Sequence, residues 1–304
     1  MPTTASDRTV HRSWTLTLPA GRRLELTAGR PALLGIVNLT PDSFSDGGLY
    51  LDPERALDHA LRLVVEGADL LDLGAESTRP GGGVYGEGAR EVPVAEELGR
   101  LLPVLERLRP RVDVPISVDT RKAAVARAAL GAGADLINDV SALGDPAMAE
   151  VAASAGCPIV LMHSRGELAS MQQGIRFDDV VAEVRSELEA TRRRAARLGI
   201  SESTVILDPG LGFGKTAEQN LELLRCTARL AQLGSPLLVG ASRKSFLGAL
   251  SGTAARDRLP ASLAAAGVAA RGGAALLRVH DVAATRHYLG ALEALEAPPA
   301  GDAR

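Results

Sequence analysis

Apolar and polar positions form a repeating unit from residue 33 onward. Each unit begins with a short apolar run, continues through a polar or glycine-rich break, and ends in a stretch with apolar residues three or four positions apart. The short runs are typical of strands that are covered on both faces, and the longer stretches are typical of amphipathic helices. The predicted strands are residues 33–37, 70–74, 115–119, 136–139, 158–162, 205–208, 236–241 and 274–279.

A predicted helix follows each strand, and eight such units are the pattern of a (β/α)8 barrel. An open doubly wound sheet shows a similar alternation, but it seldom needs eight units, and G-x-G-x-x-G is absent after the first strand here. We therefore predict an α/β fold with a single TIM barrel. The predicted helices are residues 53–66, 94–108, 122–130, 146–155, 178–198, 219–233, 260–271 and 282–295, and the glycines expected to end helices are Gly67, Gly131, Gly156, Gly199 and Gly234.

The chain before the first unit alternates apolar with polar residues over 14–18 and 24–26. With the turn-like residues 19–22 between them, these segments predict an N-terminal β-hairpin that plugs one end of the barrel. Residues 1–12 and 297–304 show no such pattern, so we expect a flexible arm and a flexible tail. The predicted domain is thus a single barrel of residues 13–296 that includes the hairpin.

Composition excludes several classes of function. Of 304 residues, 46% are hydrophobic but only 3% are aromatic, which predicts a core of Ala, Leu and Val. A net charge of -3 gives no electrostatic footprint for nucleic acid or an anionic membrane. Cys157 and Cys226 have no metal-ligand spacing and favour a reducing compartment, and no window approaches 18 uninterrupted apolar residues. We therefore predict a cytoplasmic protein.

Two glycine-rich segments imitate nucleotide-binding motifs. Residues 81–86 have the G-x-G-x-x-G spacing, but no predicted helix begins within them. Residues 210–216 resemble a P-loop, but Pro209 stands where its first glycine must be. Neither segment supports nucleotide binding.

Polar residues end the predicted strands. The carboxyl ends of barrel strands meet on one face, so these residues should converge. A carboxylate after an apolar strand is rarely left unpaired, and a polar ligand or a cation should meet it. Asp119 and Asp139 can instead cap the next helix, and Asp72 can pair with a neighbouring strand. The strand-end residues are Asn38, Asp72, Glu76, Asp119, Asn138, Asp139, Met162, His163, Asp208, Ser242, Arg243, Lys244, Arg278 and His280.

The candidate site residues divide by charge into two groups. Cations and hydroxyls suit a doubly charged phosphate, and the Asn38 amide can give an oxygen to Mg2+. Acceptors suit a planar heterocycle with an amidine-like N–H edge. The first group is Ser77, Thr78, Arg79, Lys244, Arg278 and His280, and the second is Asp119, Asn138 and Asp208.

Seven motifs occur in order along the chain: GIVNLTPDSFSDGG (35–48), DLGAESTRPGG (72–82), SVDT (117–120), GADLINDVS (133–141), LDPGLGFGK (207–215), GASRKSFLG (240–248) and LRVHDV (277–282). Together they resemble the motifs of the dihydropteroate synthase family. The resemblance implies a sulfonamide-target transferase of folate biosynthesis, a homodimer that uses magnesium. This family joins 6-hydroxymethyl-7,8-dihydropterin diphosphate to p-aminobenzoate, giving 7,8-dihydropteroate and diphosphate.

The resemblance also implies roles for the matching residues. The implied pterin site is Asp119, Asn138, Asp208 and Lys244, with Met162 against the ring and Arg278 stacked on it. The implied diphosphate and magnesium site is Asn38, Thr78, Arg79, Arg278 and His280. Phe213, Lys244 and Ser245 would border the aminobenzoate. The expected catalytic residues are Asn38, Arg79, Asp119, Asp208, Lys244, Arg278 and His280, with Asn38 as the metal ligand.

Residues 162–167 read MHSRGE, where the family more often shows MHMQG. Asp42, Asp46, His59 and His287 are expected at the surface, and the two histidines fall in predicted helices. Two other functions remain alternatives. A methyltetrahydrofolate-corrinoid methyltransferase would share the acidic pterin residues but needs no diphosphate site, and a non-catalytic paralogue would bind a pterin without turnover.

Overall fold

The computed structural model describes residues 12–40, 53–77, 91–166, 171–252, 254 and 257–297. It contains a two-stranded antiparallel sheet and an eight-stranded parallel sheet. The strands of the parallel sheet are almost entirely buried, as expected for short apolar runs covered on both faces. The strands are β1 (Ser13–Thr17), β2 (Arg23–Thr27), β3 (Ala32–Asn38), β4 (Leu70–Gly74), β5 (Ile116–Asp119), β6 (Leu136–Asp139), β7 (Ile159–Met162), β8 (Val205–Asp208), β9 (Leu238–Val239) and β10 (Leu276–Val279).

The parallel sheet closes on itself. Neighbouring strands follow chain order from β3 to β8, and β10 and then β9 lie on the other side of β3. A parallel bridge between Leu207 and Leu237 joins β8 to the residue that precedes β9, which brings the two edges together. The predicted TIM barrel is therefore confirmed.

The hairpin of β1 and β2 covers the amino end of the barrel. Leu16 and Leu26 are 1% exposed, and they share an apolar cluster with Leu34, Leu70 and Leu276 from the beginnings of barrel strands. The predicted hairpin is confirmed, and it leaves the carboxyl end of the barrel for polar side chains.

Helices surround the barrel, and their apolar faces form a second, larger core against the strands. Among the described residues, no helix is long and apolar enough to cross a membrane. The helices are α1 (Pro53–Val65), α2 (Val94–Leu108), α3 (Ala123–Gly131), α4 (Met148–Ala155), α5 (Val180–Arg197), α6 (Ala217–Arg225), α7 (Thr227–Ala231), α8 (Ser245–Ser251), α9 (Leu259–Arg271) and α10 (Val282–Glu296).

Three local predictions are wrong. The predicted helix 219–233 is two helices, because the backbone leaves helical geometry at Cys226 with φ -96° and ψ 18°. Helix α8 is absent from the prediction, since its seven residues are too few to show a helical period. Gly131 is the last residue of α3, and Gly133, with φ +101°, takes the left-handed position instead.

The predicted arm of residues 1–12 and the tail of residues 297–304 lie almost wholly outside the described residues. The segment that carries Thr78 and Arg79, and residues 41–48 of the first motif, also lie outside them.

Candidate active site

Arg278 lies at the carboxyl end of the barrel between two buried carboxylates. Its Nε donates to Asp72 Oδ2 at 2.6 Å, and its Nη2 donates to Asp119 Oδ2 at 2.9 Å. Arg278 is on β10, whereas the two aspartates are on β4 and β5, so these bonds join strands that are not neighbours of β10. Asp72 therefore does not pair with a neighbouring strand. Asp119 does not cap α3, because the N–H of Ala123 donates to Asp145 Oδ2 at 2.8 Å.

Asn138 is oriented by the same aspartate. Its Nδ2 donates to Asp72 Oδ2 at 3.0 Å. An ionised carboxylate only accepts hydrogen bonds, so the amide nitrogen must face Asp72 and the amide oxygen is left as an acceptor. We call Asp72, Asp119, Asn138 and Arg278 the strand-end cluster.

Asp119 keeps a hydrogen-bonding oxygen for a ligand. Its Oδ1 is buried and has no hydrogen-bond partner among the described residues. Burial raises the pKa of Asp119 to about 7, and the charge of Arg278 opposes that rise. A buried acceptor without a partner is costly, so a ligand N–H at this position would stabilise it.

Asp208 and Lys244 lie on the β8 and β9 side of the mouth, near enough for each charge to influence the other. Asp208 ends β8, and its Oδ1 accepts from the N–H of Gly210 at 2.7 Å. Burial raises the pKa of Asp208, and the charge of Lys244 opposes the shift. Burial has the opposite effect on Lys244: it lowers the pKa of that amine to about 8, although the negative charge of Asp208 opposes the shift. Lys244 Nζ donates to the carbonyl of Leu211 and lies 4.6 Å from the centroid of the Phe213 ring.

The loops after β7 and β8 pack against each other. We call residues 163–166 and 209–215 the loop wall. The N–H of His163 donates to the Asp208 carbonyl at 2.8 Å. Gly210 has φ +63°, and a Cβ placed there would lie 1.9 Å from the carbonyl oxygen of His163. Only glycine can hold the two backbones this close in this conformation.

His280 and Asn38 lie at the ends of adjacent strands. His280 Nδ1 is 3.0 Å from Ser242 Oγ, which also accepts from the His280 N–H at 3.2 Å. Burial, assisted by the charge of Arg278, lowers the pKa of His280 to about 3, so its ring is neutral near pH 7. Asn38 is half-buried and is paired in register with Gly74, which is itself paired with Asp119.

Met162 and Ser245 also lie at the mouth. Met162 ends β7 in register with Asp208 and is buried. Ser245 follows Lys244 and begins α8.

Other strand-end residues have structural roles. Asp139 accepts hydrogen bonds from Ser141 and from the N–H of Leu143, so it caps the turn after β6. Arg243 pairs with Asp281.

Of the four surface predictions, those for Asp42 and Asp46 lie outside the described residues, and the one for His59 is wrong. His59 is half-buried with Nε2 3.3 Å from the Ile36 carbonyl, because its helix packs on β3. His287 is exposed as predicted.

Two residues of the site were missed from sequence. From sequence, Asp72 was recognised only as a strand-end carboxylate. The signal for its role was its position within the apolar strand 70–74, where a carboxylate needs a buried partner. Lys215 was considered only as the lysine of a rejected P-loop, yet it is 3% exposed and bonded to the loop wall.

Comparison with known proteins identifies the family. Residues 34–280 match the family described as pterin binding enzyme. The chain is 44% identical over 280 residues to the dihydropteroate synthase of Synechocystis sp., covering 91% of this chain and 94% of that protein. It is 47% identical over 251 residues to a probable bifunctional folylpolyglutamate synthase/dihydropteroate synthase of Haloferax volcanii, of which it spans 29%.

A solved structure agrees with that assignment. Xanthomonas albilineans dihydropteroate synthase with 4-aminobenzoic acid has a TM-score of 0.85 and 48% identity to this chain, covering 95% of this chain and 100% of that one. The chain therefore belongs to the pterin binding enzymes and, among them, to the dihydropteroate synthases, which are transferases.

Proposed function

We propose that the carboxyl end of this barrel joins 6-hydroxymethyl-7,8-dihydropterin diphosphate to p-aminobenzoate, giving 7,8-dihydropteroate and diphosphate in folate biosynthesis. Family membership supports the reaction. The observation that supports this location for the reaction is that hydrogen-bond acceptors of Asp119, Asn138 and Asp208 converge at one end of the barrel. Carboxylate and amide oxygens complement the N–H groups along the edge of a pterin ring.

The carboxylates also suit the chemistry of the ring. Departure of diphosphate breaks the bond from the pterin methylene carbon to oxygen, and the bonding electrons leave with the diphosphate. The resulting cation is delocalised over the electron-rich ring, and the buried Asp119 and Asp208 stabilise it electrostatically. The neutral arylamine then donates its lone pair to the methylene carbon without a base to activate it, and the ammonium group so formed loses one proton to the departed diphosphate or to water. Positioning of the amine near that carbon supplies much of the remaining acceleration.

The leaving diphosphate lies, in this proposal, towards Arg278 and His280, together with Thr78 and Arg79 of the DLGAESTRPGG motif. His280 contributes as a neutral hydrogen-bonding group, because its pKa is lowered to about 3. The guanidinium of Arg278 also donates to the carboxylates of Asp72 and Asp119. Arg278 therefore fixes the position of a pterin acceptor as well as facing the diphosphate.

Magnesium fits this arrangement through a single side chain. The described residues hold no group of three or more His, Cys, Asp or Glu residues able to bind a metal ion. Mg2+ commonly binds through one or two protein ligands together with phosphate oxygens and water, so the half-buried Asn38 amide at the mouth is a suitable donor. When bound with the diphosphate, Mg2+ supplies charge that neutralises the leaving group.

The aminobenzoate lies, in this proposal, between the loop wall and the start of α8. Phe213 offers an aromatic face, Lys244 offers an ammonium group for the carboxylate, and Ser245 offers a hydroxyl. Lys244 thus borders both substrates, which agrees with its position between Asp208 and Phe213.

We also propose a homodimer in the cytoplasm. Leu250 on α8 is 60% exposed and Val268 on the contacting helix α9 is 39% exposed, which provides apolar surface for a second copy. Both cysteines are free, and Cys157 is buried, as expected in a reducing compartment. Light scattering at micromolar concentration measures the mass, and a monomeric mass would contradict the dimer.

A diphosphate-release assay tests the function. The purified chain with Mg2+, the dihydropterin diphosphate and p-aminobenzoate should release diphosphate and form dihydropteroate in equal amounts. Pterin binding without release would instead support the non-catalytic paralogue. Methyl transfer from methyltetrahydrofolate to a corrinoid, again without release, would support the methyltransferase.

A further inference from the structure

Lys215 is a buried amine that the proposed reaction does not use, and burial lowers its pKa to about 7 against the opposing attraction of Asp208. Its Nζ lies 3.0 Å from His163 Nδ1, 3.0 Å from the Gly210 carbonyl oxygen and 2.9 Å from the Phe213 carbonyl oxygen. In its protonated form the amine has three protons to donate, so each of these acceptors can receive one. All three acceptors belong to the loop wall, and Lys215 therefore fastens its two loops to each other.

The protonation of His163 agrees with this arrangement. Its Nε2 is 2.9 Å from Glu187 Oε2, and a carboxylate only accepts, so the ring N–H is at Nε2 and the Nδ1 lone pair faces Lys215. Burial lowers the pKa of His163 to about 4, which keeps the ring neutral. Arg165 in turn donates to Glu187, with Nε 3.1 Å from Oε1. The guanidinium of Arg165 is itself placed over the ring of Phe177, 3.9 Å from the centroid.

The two backbones of the loop wall are also in close contact at Gly214. Gly214 has φ +61°, and a Cβ there would lie 2.8 Å from the Arg165 carbonyl oxygen. The fixed carbonyls of Gly210 and Phe213 bracket the segment that carries the Phe213 ring. That ring faces Lys244 at 4.6 Å, on the side of the mouth assigned to p-aminobenzoate.

We propose that Lys215 is a positioning residue for the second substrate: it fixes the loop on which Phe213 stands and so sets where the aminobenzoate ring binds. The inference rests on the proposed function. Two of the three pterin acceptors, Asp119 and Asn138, stand on β5 and β6 and are oriented by Asp72 and Arg278, so they do not depend on Lys215. The third, Asp208, contacts the loop wall through the N–H of Gly210, so the pterin should be affected much less than the aminobenzoate.

Lys215→Met tests the proposal, since methionine keeps most of the side-chain length but donates no hydrogen bond. The KM for p-aminobenzoate should rise about 10- to 100-fold, as expected when a substrate is misplaced, while the Kd for the dihydropterin diphosphate changes less than threefold. Val151→Ala is the control, because it removes buried apolar atoms from α4 in the outer core. Val151→Ala should lower the free energy of unfolding, but it should not raise the KM for p-aminobenzoate more than the Kd for the dihydropterin diphosphate.

A double-mutant cycle separates positioning from a merely structural role. If Lys215 acts through Phe213, the effects of Lys215→Met and Phe213→Leu on the KM for p-aminobenzoate should be non-additive. Additive effects, or equal losses for both substrates, would overturn the inference. If Lys215→Met does not fold, His163→Gln carries the same test, because it alters one of the three acceptors.

The result also distinguishes this inference from the proposed function. A wild-type chain that makes dihydropteroate, together with a Lys215→Met chain of unchanged KM, would overturn only the role of Lys215. A wild-type chain that makes no dihydropteroate would overturn the proposed function and this role with it.

Discussion

The strand-end cluster and the loop wall form two sides of one barrel mouth, but they are held in different ways. The cluster consists of side chains on four strands, and its geometry is set by charge pairing around Arg278. The loop wall consists of backbone in close contact, held by glycines with positive φ and by Lys215. The cluster should therefore be sensitive to changes of charge, whereas the loop wall should be sensitive to changes of shape.

Removal of the charge at the centre of the cluster should have the largest effect. Arg278→Met leaves Asp72 and Asp119 buried together without a compensating cation, which is strongly unfavourable. We expect dihydropteroate formation to fall about 10³-fold, measured by steady-state kinetics, and the free energy of unfolding to fall by about 3 kcal/mol.

Arg286→Met is the matched control for this change. Arg286 pairs with Asp69, which precedes β4 and so lies at the opposite end of the barrel. That pair is partly exposed, so its loss should alter turnover less than threefold. Similar losses of turnover in the two variants would contradict a special role for Arg278.

A change of shape in the loop wall should have the next largest effect. Gly210 and Gly156 have similar backbone conformations, with φ +63° and +59°, but a Cβ at Gly156 would meet nothing within 4 Å. Gly210→Ala should therefore lower the free energy of unfolding by about 3 kcal/mol more than Gly156→Ala, because only the first adds a clash to the backbone strain. Chemical denaturation measures both values, and equal losses would show that strain alone matters.

Asp72→Asn changes charge in the cluster while it keeps size. Arg278 Nε and Asn138 Nδ2 both donate to Asp72 Oδ2, and Asp72 Oδ1 is buried without a hydrogen-bond partner among the described residues. The change therefore removes the negative charge that pairs with Arg278 and puts amide N–H donors without a partner at the buried Oδ1 position, which should disturb the packing of Arg278 and Asn138. We expect the Kd for the dihydropterin diphosphate to rise about 10- to 100-fold in a calorimetric titration. The same change at Asp69, at the opposite end of the barrel, should leave that Kd unchanged, and a rise there would show that the effect is not local.

The smallest expected effect is the pH dependence of the loop wall. The pKa of His163 is about 4 in the folded chain and near 6.5 when unfolded, so the unfolded chain binds more protons between these values. Stability should therefore fall as pH decreases from about 6.5 towards 4. In His163→Gln, the loss between pH 6.5 and 5 should be smaller by about 1 kcal/mol. An unchanged slope would contradict the neutral, buried state of His163.

The same contrast between cluster and wall explains what could be predicted from sequence. Strand ends are readable because an apolar run stops at a polar residue, and parallel strands place all such ends on one face, as for Asp119, Asn138, Asp208 and Arg278. The hydrogen-bond partners of these residues could not be predicted, because Asp72 and Arg278 are 206 positions apart in the sequence. The loop wall was missed because its form depends on backbone conformation at Gly210 and Gly214, which leaves no periodic signal.

A crystal structure of the chain with 7,8-dihydropteroate would test the central claim most directly. The account predicts that the pterin edge donates hydrogen bonds to Asp119 Oδ1, Asn138 Oδ1 and the Asp208 carboxylate, while the aminobenzoate ring lies against Phe213. A pterin ring bound elsewhere, or one that leaves Asp119 Oδ1 without a partner, would contradict it.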